Sequence, residues 1–511
     1  MSDISSNNKR IAKNTLMLYV RMFLIMAVSL YTSRVILKAL GIEDYGIYNV
    51  VGGFVSMFNI LTSSLSTSIS RFITVELGKR DSERLRVVFR SSIRILFIIS
   101  IVIAILTESI GLWFLNNKMQ IPDGRYESAQ WVLHCSIMSF IISLLSVPFR
   151  STIVAHERMS IYAYISILEV FMKLGIVYLL YISSFDRLVT YAILMLGVHV
   201  IHVLIYVIYC KRNFEECSGK AQLNTVTFRE MGNFAGWSFL GNSAYILNTQ
   251  GVNMVMNVFF GVVVNAARGI ANQVDGAISQ FSQNFTIAIN PQIVKSYASG
   301  NKQEAFILTC RGSKFSFMLM YLVALPIILE IDQILKIWLG EYPDGSSSFV
   351  IWTVLASLAN TIGHPLLTLI NAHGDIKKYQ IYITLVGFAP FPLTWIVFKL
   401  GAPVIWAYII YFIVYYILLY LRLWLVHEKT GIPYGLYLRE VILRTHLIAV
   451  ISMIIPLIIV HTFEPTHIRL CLTIVTSIIS TSIIILAVGL TSDERKTIFS
   501  KVINIVKRKR T

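Results

Sequence analysis

Charged side chains are scarce in this chain of 511 residues: Asp, Glu, Lys and Arg together make up only 14%, whereas hydrophobic residues make up 56%. Soluble globular domains have about 25% charged and about 45–50% apolar residues. The mean hydropathy of +0.68 deviates in the same direction. This composition excludes an ordinary soluble domain and predicts an integral membrane protein.

Acidic residues are few even among the charged ones: 27 Asp and Glu accompany 44 Lys and Arg, which gives a formal net charge of +17. Such an excess can indicate nucleic acid binding. Here, however, the basic residues lie in short segments between apolar runs, which is the placement that orients a membrane protein. We therefore expect no nucleic-acid partner.

Cysteine is rare, and its five positions are scattered without metal-ligand or disulfide-framework spacing. We expect free thiols and no metal site. The chain also lacks a G-x-x-x-x-G-K-[ST] phosphate loop, an H-E-x-x-H zinc motif and a G-x-S-x-G nucleophile motif. The predicted outward loops are too short to carry the catalytic groups of a glycan polymerase or transferase. These absences predict a protein that is not an enzyme and that needs no cofactor.

Apolar runs of about 20 residues, the length that crosses a bilayer core as a helix, are abundant. We count fourteen candidate spans and predict an all-α membrane protein. The polar start, MSDISSNNKR, leads into the first run without an obvious small-residue cleavage site, which favours a retained span over a signal peptide. The spans are 15–37, 46–69, 92–115, 130–152, 160–182, 188–210, 233–258, 262–290, 306–329, 348–370, 379–399, 401–423, 441–461 and 467–489.

Basic residues are distributed unevenly between alternate connections of these spans. The N-terminus and every second connection, including 71–94 and 422–444, contain 33 Lys and Arg, whereas the remaining connections contain eight. Positive residues accumulate in cytoplasmic loops. The asymmetry predicts that both termini lie in the cytoplasm.

An internal repeat is visible in the loops after spans 2 and 8. The segment 78–92 resembles the segment 299–313, and the helices before them align at an offset of 220 residues. Two sets of six spans, each starting on the same side, form the parallel-repeat arrangement that recurs in transporters. We predict an N-terminal lobe (1–212), a C-terminal lobe (213–428), and two extra spans with a basic cytoplasmic tail (429–511).

Span 8, residues 262–290, combines the length of a membrane helix with a continuous polar stripe. Its polar side chains recur at three- and four-residue steps and therefore share one helical face. An ionisable residue at bilayer depth is costly and usually faces a bundle interior or a wet cavity. The stripe thus predicts the wall of a polar pathway. Its members are Asn265, Arg268, Asn272, Asp275, Ser279, Ser282, Thr286 and Asn290.

Polar residues on other spans are candidates for the same cavity. Arg21 lies well inside span 1, whereas Arg34 is near its outer end and could extend its charge to the interface. In span 2, Asn59 aligns with a member of the stripe under the 220-residue offset. Span 7 has a second polar stripe that includes Asn242 and Asn253. Such amides either line a cavity or hydrogen-bond neighbouring helices.

Span 5 contains two opposite charges, Glu169 and Lys173, four residues apart, where they can neutralise each other. This pair is either structural or a site of ion coupling, and we expect it to form inside the bundle. In span 6, His199 and His202 could carry protons near neutral pH. An intramembrane histidine more often serves as a hydrogen-bonding packing residue.

The run SLYTSRVILKALGIEDYGIYNVVGG (29–53), followed by SRFITVELGKRD (70–81), resembles the polysaccharide flippases of the multidrug/oligosaccharidyl-lipid/polysaccharide exporter superfamily. The resemblance extends over essentially the whole chain. It implies a V-shaped pair of six-helix lobes around a central cavity. It also implies transport of an undecaprenyl-pyrophosphate-linked oligosaccharide to the outer leaflet, driven in most relatives by ion gradients. Relatives line the cavity with arginines on the first span and at the start of the second lobe, where this chain has Arg21, Arg34 and Arg268.

The resulting interpretation is a flippase of the bacterial cytoplasmic membrane. Its expected partners are the lipid-linked glycan, membrane lipids, and the glycan polymerase and glycosyltransferases of the same pathway. Arginine suits phosphate oxygens, and amides and hydroxyls suit sugars. Two alternatives stay open. A multidrug exporter of the same superfamily would favour an acidic, aromatic-lined cavity, and a non-transporting glycan-assembly subunit would have little reason to bury polar stripes.

Overall fold

The computed structural model describes residues 23–58, individual residues between 62 and 77, and the segments 81–156, 158–218, 247–491 and 494–495. These residues form helices joined by short turns, with no β-strand among them. Three candidate site residues, Arg21, Asn59 and Asn242, lie outside the described part of the chain.

The structure divides into two compact units, Met1–Gly269 and Ile270–Thr511. The units are defined by contacts, whereas the predicted lobes 1–212 and 213–428 are defined by the sequence repeat, so the lobe boundaries stay a prediction.

The helices of the first unit cover most of its described residues. They are α1 (Phe23–Leu40), α2 (Ile42–Ser56), α3 (Ser82–Asn117), α4 (Tyr126–Leu145), α5 (Val147–Ala155), α6 (Met159–Leu180), α7 (Arg187–Asn213) and α8 (Val252–Phe260). A further helix, α9 (Val262–Ala298), begins in this unit and continues in the second.

The second unit continues with shorter and longer helices in alternation. They are α10 (Lys302–Leu329), α11 (Ile331–Leu339), α12 (Ser346–Ile362), α13 (His364–His373), α14 (Lys377–Phe388), α15 (Pro390–Lys399), α16 (Trp406–Thr430), α17 (Tyr434–Tyr437), α18 (Arg444–Thr462) and α19 (His467–Ile484).

Eleven helical segments in the described part of the chain are long and apolar enough to cross a membrane, and they correspond to eleven of the predicted spans. The predicted spans 46–69 and 233–258 lie partly outside the described residues. Span 8 is present as α9, whose polar stripe makes it less apolar than the others. The protein is therefore an all-α, multi-pass membrane protein.

Helix α9 is longer than its predicted span. It has 37 residues and ends at Ala298, eight residues beyond the predicted boundary at 290. At 1.5 Å per residue its length is about 55 Å, almost twice the ~30 Å of a bilayer core. The helix must therefore extend past the hydrocarbon region, and hydropathy alone could not locate its end.

The two long helices that follow the repeat loops begin in the same way. The Asp81 side chain accepts a hydrogen bond from the N–H of Arg84 at 2.9 Å and caps α3. The Asn301 side chain accepts from the N–H of Glu304 at 3.3 Å and caps α10. Asp and Asn are preferred caps because they satisfy otherwise unpaired N–H groups of the first turn. The two caps lie 220 positions apart, one less than the 221 positions that separate the segments 78–92 and 299–313.

Helices α18 and α19, the predicted extra spans, are tied to α10 by polar contacts. At the end of α10, Glu330 accepts hydrogen bonds from Arg469 and Thr473, both at 2.8 Å. Near the middle of α10, Lys314 donates to Glu494 at 2.7 Å. These contacts fix the C-terminal helices within the second unit.

Candidate functional site

A cavity of about 410 Å³ lies within the first unit, between α1, α5, α6 and α7. Most of its wall is hydroxyl and aromatic, but it also contains four side chains that can carry charge. These are Arg150, Glu169, Lys173 and His202. Two of the four, Glu169 and Lys173, were predicted from their spacing to pair.

The predicted ion pair is confirmed. The Lys173 Nζ atom lies 2.6 Å from Glu169 Oε1, one helical turn away on α6. The Glu169 side chain is 21% exposed and that of Lys173 is 32% exposed, so both charges retain contact with the cavity. The carboxylate is thus neutralised without being sealed from water.

His202 adds a second partner for the same carboxylate. Its Nε2 atom lies 3.2 Å from Glu169 Oε2, and its ring packs edge-on against Tyr206 with the ring centres 4.9 Å apart. His199, in contrast, is engaged by its own helix, because its Nδ1 atom lies 2.8 Å from the carbonyl oxygen of Met195. Only His202 therefore joins the charged cluster, a distinction that the sequence could not make.

The head of α9 is held by a network of asparagine side chains. The Asn265 amide donates to the backbone oxygen of Asn253 at 2.7 Å and to its side-chain oxygen at 2.9 Å. The Asn257 amide donates to Asn265 Oδ1 at 3.0 Å. All three are almost fully buried. Gly261, with φ of 79°, makes the turn between α8 and α9 that brings them together. In this arrangement Asn253 and Asn265 connect two helices, which is one of the two roles expected for such amides.

Arg268 lies one turn further along α9 and is only 5% exposed. Its Nη2 atom donates to the carbonyl oxygen of Thr249 at 3.1 Å, and Nη1 lies 3.3 Å from the sulfur of Met256. Arg34, in contrast, is exposed on α1. The role of both arginines in substrate binding stays a prediction.

Asp275, two turns deeper on α9, belongs to the second unit. The Ser279 hydroxyl lies 3.5 Å from its carboxylate, and Ser357 of α12 also hydrogen-bonds to it. In the described part of the chain Asp275 forms no ion pair. Asn272, which lies on the same face, is exposed. The structure thus confirms that α9 carries a polar face, and it adds the hydroxyls of α12 as neighbours.

Arg422 falls both in the predicted span 401–423 and in the basic connection 422–444, and the structure places it in a helix. Helix α16 extends to Thr430, so Arg422 lies about two turns inside it. Its guanidinium contacts Asn360 of α12, and Asn360 in turn contacts His364. The apolar periodicity of span 12 continues on both sides of Arg422, and this was the only available signal.

Comparisons with known proteins give a consistent assignment of the fold. The MatE family model matches residues 18–179. The structure of lipid II flippase MurJ in an inward closed conformation superposes with a TM-score of 0.68 at 14% identity, covering 92% of this chain and 98% of that one. The multidrug transporter DinF-BH superposes with a TM-score of 0.58 at 15% identity, covering 83% and 97%.

This is the fold of the MurJ and MATE transporters. The uncharacterized membrane protein EpsK of Bacillus subtilis is 18% identical over 313 residues, 61% of this chain, and the match spans only 62% of the EpsK length. Together the matches agree on the fold, and the likeness to the MatE family covers residues 18–179.

Proposed function

We propose that the protein is a flippase that moves an undecaprenyl-pyrophosphate-linked oligosaccharide from the cytoplasmic to the outer leaflet by alternating access. It would act in the bacterial inner membrane with both termini in the cytoplasm, alongside the glycosyltransferases and the polymerase of the same pathway. The observation that carries the proposal is the head of α9, where the buried Arg268 opens a long helix with a polar face. The superposed MurJ structure, described as a lipid II flippase, supports the same class of substrate.

The chemistry of α9 suits each part of such a substrate. A guanidinium stays charged at any relevant pH and matches phosphate oxygens with two parallel N–H donors. Amides and carboxylates such as Asn272 and Asp275 can bind sugar hydroxyls. The charge of Arg268 is already removed from water, so its attraction to a pyrophosphate is less screened than at a surface.

We assign ion coupling, as part of the same proposal, to the cluster of Glu169, Lys173 and His202. The carboxylate faces two partners, and one of them, a histidine, can change charge near neutral pH. Because the cluster borders a cavity, a proton could reach it without crossing a sealed core. His199 contributes less, since its Nδ1 atom faces its own helix.

A multidrug exporter is the second candidate, and the same cavity favours it. Glu169 provides an acidic group, and Tyr162, Tyr191 and Tyr206 provide aromatic walls. Cationic drugs bind to such walls through their charge and through contacts with ring faces. The fold does not separate the candidates, because both MurJ and DinF-BH superpose on the chain.

A leaflet-resolved transport assay in proteoliposomes separates them. A defined lipid-linked oligosaccharide and a fluorescent cationic drug should be offered in parallel, with imposed H⁺ or Na⁺ gradients. The flippase proposal predicts movement of the lipid-linked glycan, whereas drug movement alone would establish the exporter. A chain that moves neither would support the non-transporting subunit of glycan assembly.

Substitution of Arg268 tests whether the head of α9 takes part in binding the substrate. Each charge-assisted contact contributes roughly 1.5–3 kcal/mol, so Arg268→Ala should reduce glycan transport at least tenfold without unfolding the protein. Arg268→Lys should rescue only partly because the planar fork is lost. Lys38→Ala, at an exposed basic position of α1, is the matched control. If Arg268→Ala transports and binds the substrate like the wild type, Arg268 has no part in recognition.

A further inference from the structure

Arg422 lies in a membrane helix, and two neighbouring residues, Asn360 and Gly363, determine the position of its side chain. Its Nη1 atom donates to Asn360 Oδ1 at 2.9 Å. At Gly363 of the adjoining turn, a Cβ atom would come within 2.9 Å of the same nitrogen. Glycine therefore leaves the space that the guanidinium occupies. Asn360 of α12 and Gly363, which directly follows this helix, together fix the position of the Arg422 side chain.

Asn360 connects the arginine to His364. Because its oxygen accepts from Arg422, its amide nitrogen faces His364 Nε2, at 3.4 Å. An amide nitrogen can only donate, so Nε2 accepts and the ring proton of a neutral His364 resides on Nδ1. This assignment follows from the hydrogen-bond network. His364 then has an Nδ1–H donor, and Arg422 keeps N–H groups besides the one that binds Asn360.

Several carboxylates of the second unit already have cationic partners. At the end of α16, Glu428 is bound by Lys378 at 2.7 Å, and Asp375 by Lys429. The arginines of this unit that form ion pairs, each with its own glutamate, are Arg311 with Glu494, Arg444 with Glu440, and Arg469 with Glu330. Arg422 differs from them, because no carboxylate of the described residues lies within ion-pair distance of it.

One nitrogen of Arg422 is also unsatisfied. Its Nε atom is buried and has no hydrogen-bond partner among the residues that the structure describes. A buried donor without an acceptor is unfavourable, and a fixed cation without a counter-charge is more so. His364, by contrast, is exposed, so the cluster is open at the surface of its unit. An anion arriving from outside would meet donors and no competing carboxylate.

We propose that Arg422, Asn360 and His364 form a second anion-binding site, which takes the phosphate group of a membrane lipid. Phosphate is the anion that fits, because its oxygens can accept from the guanidinium and from His364 Nδ1–H together. Two lipids carry this chemistry: the lipid-linked diphosphate of the proposed function, and an ordinary anionic phospholipid. The first source rests on the proposed flippase activity, whereas the second does not.

Lipid binding to the purified full-length protein tests the site. Wild type, Arg422→Ala and Arg422→Lys should be titrated in detergent with undecaprenyl diphosphate and, separately, with phosphatidylglycerol. We expect Arg422→Ala to weaken binding of one or both lipids at least tenfold and Arg422→Lys to weaken it less. The exposed Arg439 supplies the matched control, and Arg439→Ala should bind both lipids like the wild type.

A second variant keeps the test valid if Arg422→Ala fails to fold. Asn360→Asp places a carboxylate against the guanidinium and should weaken phosphate binding similarly while retaining the arginine. Loss of diphosphate binding identifies the transported lipid as the ligand, and loss of phosphatidylglycerol binding alone identifies a phospholipid site. Unchanged binding of both lipids in Asn360→Asp, or no binding of either by the wild type, overturns the proposal.

The two proposals fail in distinguishable ways. If the wild type binds no diphosphate but binds phosphatidylglycerol through Arg422, the site stands and the flippase function is contradicted. If diphosphate binding depends on Arg268 and not on Arg422, the flippase proposal is supported and the second site is overturned.

Discussion

The two units contain ion-paired glutamates in contrasting surroundings. In the first unit, Glu169 is 21% exposed beside a cavity, and its lysine partner is 32% exposed. In the second, the Glu330 side chain is 0% exposed, and both of its oxygens are occupied, by Arg469 and Thr473. A carboxylate whose oxygens are saturated in a dry site cannot exchange a proton or a ligand without breaking the structure. A carboxylate beside water can exchange a proton or a ligand while the structure stays intact.

The Glu330 site has a counterpart near the middle of α10. Lys314 is 2% exposed and Glu494 is 7% exposed, with 2.7 Å between Nζ and Oε2. Between the two sites, the Tyr321 hydroxyl donates to the carbonyl oxygen of Ala449 at 2.7 Å. We interpret these contacts as structural, since they join the C-terminal helices to α10. The comparison therefore predicts stability effects in the second unit and transport effects in the first.

The largest expected effect follows from breaking the dry ion pair. Glu330→Gln leaves the charge of Arg469, whose side chain is 13% exposed, uncompensated and should destabilise the protein by up to about 3–5 kcal/mol. Glu330→Gln/Arg469→Met should be milder because no charge is left unpaired. Thermal unfolding of the purified protein in detergent measures both. The control is Glu428→Gln in the half-exposed pair with Lys378, where the expected loss is about 0–1 kcal/mol. Equal losses of stability for Glu330→Gln and Glu428→Gln would show that burial does not distinguish the two ion pairs.

A smaller effect, measured as a loss of transport, is expected when Glu169 is substituted. Glu169→Gln should reduce gradient-driven transport at least tenfold, about 1.4 kcal/mol, with little change in the melting temperature. Glu169→Gln/Lys173→Met should do no better, because the proton-binding carboxylate is still missing. The assay is transport with and without an imposed H⁺ gradient at matched expression. If the double variant recovers transport, the pair is structural, and the two units do not differ in the way we infer.

The smallest effect concerns an ion cluster outside the membrane spans. Arg125, which precedes α4, donates to Asp44 of α2 and to Asp186, the capping residue of α7. Burial opposes ionisation of Asp186, but the N–H of Val189 and the Arg125 guanidinium outweigh it and hold the pKa of this carboxyl below its usual value. A carboxyl with a lowered folded-state pKa contributes stability at high pH, and this contribution is lost as the pH falls.

The corresponding variant is Asp186→Asn, which keeps a capping side chain but removes the charge. Above about pH 5 the wild type should be more stable by less than about 1 kcal/mol, because the pair is partly exposed. The difference should shrink as the pH falls below about 4, the pKa of an unfolded Asp. Melting temperatures of both proteins between pH 3 and 7 measure this. A difference that grows towards low pH would contradict the sign of the pKa shift.

The sequence by itself determined the features that depend on local periodicity and on composition. Apolar runs predicted the membrane helices, the three- and four-residue steps of α9 predicted its polar face, and the i,i+4 spacing predicted the pair of Glu169 and Lys173. The repeat related the segments 78–92 and 299–313, in which α3 and α10 begin. Such features are local because neighbours on one helical face are fixed by the 3.6-residue turn.

Only the tertiary structure decided which helices share their polar groups. It brought His202 to Glu169, placed Arg469 against Glu330, and placed Arg422 beside Asn360. These partners lie 33, 139 and 62 positions apart. Inside a membrane, lipid tails are as apolar as leucine, so helices pair through shape and interhelical hydrogen bonds instead of through a hydrophobic pattern. A single sequence carries no periodic signal for that choice.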